Sequence, residues 1–173
     1  MRVKFTILGC GSSLGVPRID GYFGSCNPKN KKNHRTRCSA LISFNDVNLL
    51  IDTSPDVKKQ LLSNGVRNID QVLYTHRHAD QTHGINELRV FSLKSKKKIP
   101  IFADPDTKKS LYNNFKYCFK SENDGYKPIL KFVRFKKKHI IKCGKKNLSI
   151  KNIPVKHGKI NSLAYIINNK CAY

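Results

Sequence analysis

Three histidines and an aspartate crowd into eight positions of this chain: His76, His78, Asp80 and His83. They lie in Tyr74-Thr-His-Arg-His-Ala-Asp-Gln-Thr-His-Gly84, directly after the apolar run Val72-Leu73-Tyr74. Imidazoles and a carboxylate at a strand end are costly to bury unless something pairs with them. A divalent metal is the commonest such partner, because zinc accepts neutral imidazole and carboxylate oxygen. His76 and His78 are two apart, so on an extended segment both point the same way and can chelate one ion. Asp80, two further on, is placed to serve a neighbouring ion or to accept a bond from a metal-bound water. His157, in Val155-Lys-His-Gly158 at the end of another strand-like run, supplies a third nitrogen from elsewhere in the fold. Three nitrogens with one open position is the arrangement of a catalytic zinc, whose bound water has a pKa near ~7. Gln81 is out of type in such a cluster, and its amide oxygen is a harder ligand than imidazole. His83 reads as a histidine supporting the site from behind or bonded to backbone in the core.

The elements that must position these residues are legible from pattern. Val3-Lys-Phe-Thr-Ile-Leu8 predicts a strand that stops at Gly9-Cys-Gly-Ser-Ser-Leu-Gly-Val-Pro17. That glycine-rich stretch is a turn with special backbone angles. It lacks the G-x-G-x-x-G spacing and the following amphipathic helix of a dinucleotide-binding loop, so its glycines serve backbone geometry. Residues 18–37 read as an excursion loop. Ser39–Phe44 and Val47–Asp52 predict a hairpin around Asn45-Asp46. Asp52-Thr-Ser-Pro-Asp56 predicts an N-cap and first turn for a helix through about Leu62, closed by Asn64-Gly65. Ile69–Tyr74 is the strand that delivers the histidines, with a short helix expected over Gly84–Leu93. Pro100–Ala103 predicts a strand, and Asp104-Pro-Asp-Thr107 a cap for a helix through about Phe119. A loop over 121–128 precedes three strand-like segments, Ile129–Phe135, Leu148–Ile153 and Leu163–Ile167. Strands followed singly by helices imply a mixed α/β (α+β) fold, and no domain boundary is visible across residues 1–173.

The 173-residue chain is long enough for one domain with a real core. No apolar run approaches the ~18–20 residues of a membrane helix, so no membrane is expected. The N-terminal residues are too short and strand-like for a signal peptide, which points to the cytoplasm. The six cysteines form no C-x-x-C pair and, in a reducing compartment, are expected as free thiols. Cys26, His34 and Cys38 offer three donors for a structural zinc but no fourth. The net charge of +23 suits a polyanion partner such as RNA. The lysines nevertheless spread along the whole chain without aromatic interleaving, as a Lys/Asn/Ile-rich composition would place them. His34 and His139 lie among basic residues and are expected in solvent.

At this point the sequence resembles a known superfamily. His76-Arg-His-Ala-Asp-Gln81 is similar to the HxHxDH motif of the metallo-β-lactamase fold, except in its last residue. Gly9–Pro17 resembles the opening loop of the branch containing the phosphoribosyl 1,2-cyclic phosphate phosphodiesterases. Leu50-Ile-Asp52-Thr resembles that fold's buried strand-end aspartate, and His78-Ala-Asp-Gln-Thr-His-Gly-Ile-Asn-Glu-Leu-Arg89 the branch's HADHxHGxDDLR segment. His157-Gly158 sits where the fold's third histidine belongs. The resemblance spans essentially the whole chain. It implies a four-layer αββα sandwich and one or two metals, Zn2+ or Mn2+. It also implies hydrolysis of a small phosphodiester by a metal-activated water. His76, His78 and His157 carry over as ligands of a first metal. Asp80 carries over as a ligand of the second metal and partner of the attacking water, with Gln81 at the position of the second metal's histidine. Asp52 carries over as support for the histidine loop.

Three departures accompany the resemblance. Gln81 weakens, re-tunes or removes the second metal site. The sequence reaches Cys171-Ala-Tyr173 before the family's bridging aspartate and last histidine, so sheet and second site are expected to be incomplete. Only Cys26 and Cys38 remain of a cysteine-rich zinc loop. Two further readings follow. One is a tRNA- or nucleic-acid-processing hydrolase of the same fold, which the charge suits. The other is a truncated remnant holding at most one metal and turning nothing over, with self-association through an exposed sheet edge.

Overall fold

The strand hairpin at the heart of the molecule shows how the sequence builds its layers. In the computed structural model, which describes residues 3–121, 125–134, 137–144 and 146–173, β2 (Ser39–Phe44) pairs antiparallel with β3 (Val47–Ile51). Asn45 takes φ +50 to close the turn, a conformation asparagine tolerates. Side chains alternate faces. Ala40, Ile42, Phe44, Leu49 and Ile51 pack against one layer, while Leu41 and Leu50 pack against another.

The first sheet runs in sequence order: β1 (Val3–Gly9), β2, β3, β4 (Gln71–Leu73), β5 (Ile99–Phe102) and β6 (Leu130–Phe132). It is antiparallel from β1 to β3 and parallel from β3 to β6. Crossovers carry α1 (Val57–Ser63), α2 (Ala79–Thr82), α3 (Arg89–Ser95) and α4 (Pro105–Asn114). Val57 and Leu61 of α1, Leu111 of α4, and Ile85 and Leu88 of the 3₁₀ turn before α3 cover one face of the sheet. On its other face lies the second sheet, in the order β10 (Cys171–Ala172), β9 (Ile160–Ile167), β8 (Lys146–His157), β7 (Lys138–Cys143). Leu148, Ile150, Leu163, Tyr165 and Ile167 interdigitate with the β2–β3 hairpin. The result is the expected mixed α/β sandwich with helix, sheet and sheet layers. Among the described residues no helix covers the outer face of the second sheet, where Ile140, Ile153 and Val155 are exposed.

Several local expectations need correction. Asp56 stands before α1 but makes no capping bond. Its carboxylate instead takes Arg37 Nε and Nη2 at 2.8 Å each, and the Arg37 backbone N–H at 2.9 Å. A bidentate guanidinium fork outcompetes helix N–H groups for the same oxygens. The helix expected to run to Phe119 stops at Asn114 and resumes as a 3₁₀ turn over Lys116–Cys118. Strand β7 was hidden by its lysines, and β8 is longer than its apolar centre suggests. His139 is half-buried rather than solvated, with Nε2 2.9 Å from Gln71 Oε1 and its ring 4.6 Å from that of Phe102. Residues 122–124 of the expected loop and Phe135 of the expected strand lie outside the described residues. Of the opening glycines, Gly15 takes φ +77, a special backbone angle of the kind expected, while Gly9 is required by close packing: a Cβ there would sit 2.1 Å from Arg37 O.

Candidate metal centre

Tyr74 and Thr75 continue β4 beyond its last ladder pair and are held from both sides. Tyr74 N–H donates to Phe102 O at 2.9 Å. From the second sheet, Tyr165 Oη donates to Tyr74 O at 2.6 Å, and Leu163 N–H donates to Thr75 O at 2.8 Å. Both sheets therefore grip the two residues preceding His76.

Asp52, at the end of β3, supports the same segment from within. It is 1% exposed and takes φ +59, which turns its carboxylate under the neighbouring strand. Oδ1 accepts the Thr75 backbone N–H, and Oδ2 accepts the Thr75 hydroxyl, both at 2.7 Å. Thr75 Oγ1 lies 2.9 Å from His76 Nδ1. With Asp52 ionised, the threonine proton goes to the carboxylate and Nδ1–H donates to Oγ1. The Nε2 lone pair of His76 then faces away from the protein interior. Burial pushes the Asp52 carboxyl up to about 7, while the bonds from Thr75 pull the other way. A cation at the histidines favours the ionised form.

His76 Nε2 lies 3.1 Å from His78 Nδ1. Ring centroids are 4.7 Å apart for His76–His78, 4.9 Å for His76–His157 and 5.3 Å for His78–His157. One donor atom from each of the three falls within 4.8 Å of the others. Two nitrogens bound tetrahedrally to one zinc stand about 3.3 Å apart, so this spacing suits a shared ion. Burial first, then the neighbouring His78 and His157, press His76 down to about 4 from an ordinary 6.5, which keeps it neutral and ready to ligate. His157 is delivered by the last residue of β8, paired with Ile160 of β9. The donor set thus fits a divalent cation with nitrogen preference.

The remaining expected residues fall differently. Asp80 and Gln81 begin α2 beside the triad but stand outside the three-donor cluster. Gln81 Nε2 donates to Asp80 Oδ2 at 2.9 Å, while its buried Oε1 has no partner. Asp80's charge still bears on His76. His83 is exposed and supports nothing from behind. Its Nδ1 lies 3.0 Å from Thr82 Oγ1 and its ring meets Phe115 edge-on at 5.3 Å. Among the described residues Cys26, His34 and Cys38 do not gather into a ligand cluster. Thr75 is the residue the sequence reading missed. Its one signal is a hydroxyl immediately before the first histidine.

A two-sheet α/β sandwich with histidines converging at the ends of β4 and β8 defines a metal-binding class of hydrolase folds. Residues 47–173 match the beta-lactamase superfamily domain, and the chain belongs to that family. It is 29% identical over 166 residues to an octanoyltransferase of Porphyromonas gingivalis (strain ATCC BAA-308 / W83), covering 95% of this chain and 33% of that protein. The chain therefore spans a third of that curated relative's length. Among solved structures, a diphosphatase from the PhnP family superposes with TM-score 0.79 at 28% identity, over 96% of this chain and 62% of that one. Human tRNase Z, short form, shares the fold at TM-score 0.62 and 15% identity, over 99% of this chain and 67% of that one.

Proposed function

We propose that this chain forms a mononuclear zinc centre and hydrolyses phosphodiesters of small molecules. The observation that carries the reading is the convergence of three imidazoles, one of them desolvated and held by Thr75 and Asp52. Likeness to a PhnP-family diphosphatase supports a phosphate-bearing substrate, and a charge of +23 suits an anionic one. A zinc held by His76, His78 and His157 would supply Lewis acidity and lower the pKa of a bound water. The chain's own residues do the rest. Asp52 and Thr75 fix the His76 ring, and Asp80 would be the carboxylate that accepts a proton from the attacking water. Gln81 replaces a second cation: its amide N–H occupies the Asp80 oxygen that such a cation would otherwise neutralise.

Metal analysis combined with turnover of bis(p-nitrophenyl) phosphate tests this. The expected result is one tightly bound zinc, with activity lost in His78→Ala. Absence of tight zinc, or turnover indifferent to chelators, sinks the proposal. Zinc binding without turnover sinks the phosphodiesterase reading alone. Salt-sensitive RNA cleavage with no small-diester turnover transfers the function to nucleic acid.

A further inference from the structure

His76 and His78 lie where the parallel strands end; a cavity opens where those strands begin. The segments leading into β4 and β5 bound it, with α3 on one side and β6 on the other, and its volume is about 650 Å³. From Asp70, before β4, to His76, after it, the chain runs six extended residues, so the cavity lies roughly 20 Å from the metal centre. Its floor is apolar, with Ile69 and Ile99 buried beneath it and Phe91 half-buried at one wall.

Five cationic side chains stand around this floor: Arg67, Lys94, Lys97, Lys98 and Lys131. They come from the segment before β4, from α3, from the segment before β5 and from β6 itself, so no single sequence run explains their meeting. Among the described residues none of the five takes part in an ion pair. The one acid in the lining, Asp70, is already engaged: its Oδ2 accepts the Asn48 backbone N–H at 2.7 Å and Asn68 Nδ2 at 2.9 Å. The carbonyl end of α3 attracts Lys94 and its neighbours, but it does not account for Arg67 or Lys131. Five cations against the single Asp70 carboxylate leave an excess of positive charge that raises the local potential, and low-dielectric walls strengthen the field.

We infer that this cavity is an anion site, separate from the metal centre, that binds a small ligand carrying several phosphates. Its size is that of a small-molecule pocket. Its cations are compactly grouped, whereas a nucleic-acid strand would need an extended stripe. Lysines act on phosphate as point charges and Arg67 can add a bidentate contact.

Calorimetric titration of the intact chain with inorganic tripolyphosphate, at about 150 mM KCl to screen diffuse attraction, tests the site. One saturable equivalent is expected. Affinity should fall at least about tenfold in the Lys97→Glu/Lys98→Glu/Lys131→Glu variant, or in the corresponding glutamine variant should the first not fold. It should hold in Lys29→Glu/Lys31→Glu/Lys32→Glu, which removes the same charge elsewhere, and in His78→Ala. ATP should compete and adenosine should not. Equal losses in both charge variants would reduce the effect to net charge and overturn the inference. So would loss in His78→Ala, no binding at this salt, or displacement by a short single-stranded RNA at lower concentration than ATP. None of these outcomes depends on hydrolysis at the metal centre.

Discussion

Replacing Thr75 by valine isolates the hydroxyl that joins the buried carboxylate to the first histidine. The side chain keeps its shape, so the tight surroundings are not opened. What is lost is one atom bonded at 2.7 Å to Asp52 Oδ2 and at 2.9 Å to His76 Nδ1. Asp52 Oδ1 keeps its backbone bond from Thr75, so half of the carboxylate stays satisfied. Leaving Oδ2 without a partner at a 1% exposed residue costs about 1–3 kcal/mol. For a domain of this size that lowers the melting temperature of the metal-free protein by roughly 3–10 °C. The zinc consequence is larger in kind. Without the Nδ1 acceptor neither tautomer nor ring angle of His76 is fixed, and loss of such an outer partner weakens metal binding by about 10–100-fold. Competition against a chromophoric zinc chelator measures the affinity, and calorimetry the stability. Thr75→Ser should restore both. A valine variant that melts at the parent temperature and binds zinc within a factor of about three would refute the relay.

Gly84→Ala should destabilise the chain by about 1–3 kcal/mol, because a Cβ there would lie 2.1 Å from Ser54 O and 2.6 Å from Val57 Cγ1, the first a backbone atom that cannot swing away; an unchanged denaturation midpoint would contradict that packing. In the metal-free protein His76 should titrate near 4 by NMR, against an ordinary value of 6.5. Because the folded state then binds fewer protons than the unfolded state in that window, the neutral ring's contribution to stability is present above about 6.5 and lost as pH falls through about 4. A midpoint above about 6 would show that the ring is solvated.

The parts of the centre legible in sequence are those governed by one periodicity. His76 and His78 lie on an extended segment where the two-residue rule holds, and the structure brings both to the same ion-sized space. From Ala79 the chain turns helical, the period becomes 3.6, and His83 is carried outward to Phe115 although its residue type is the same. Thr75 was invisible for another reason: a threonine in an apolar run reads as strand propensity, and only the approach of Asp52 from β3 reveals its hydroxyl as a relay. The Asp52–Asp56 segment read as a cap and first turn, yet α1 begins only at Val57 and the distant Arg37 claims the Asp56 carboxylate. Each miss needs a partner remote in sequence, which no local pattern contains.

The centre also depends on how the two sheets meet. His76 and His78 follow β4 of the first sheet, while His157 ends β8 of the second. Bonds that cross this joint next to the histidines run from Tyr165 Oη to the carbonyl of Tyr74, and from Leu163 N–H and Ser162 Oγ to the carbonyl of Thr75. The ligand set is therefore complete only when the sheets are docked, and any ion that binds it stabilises the docked state by mass action, by about 2.7 kcal/mol at a hundred times its dissociation constant. Substitutions at Tyr165, buried in the inter-sheet core, would therefore alter the three-histidine site through this joint without touching a histidine. Packing of the second sheet and affinity for an ion at these histidines would then be one equilibrium.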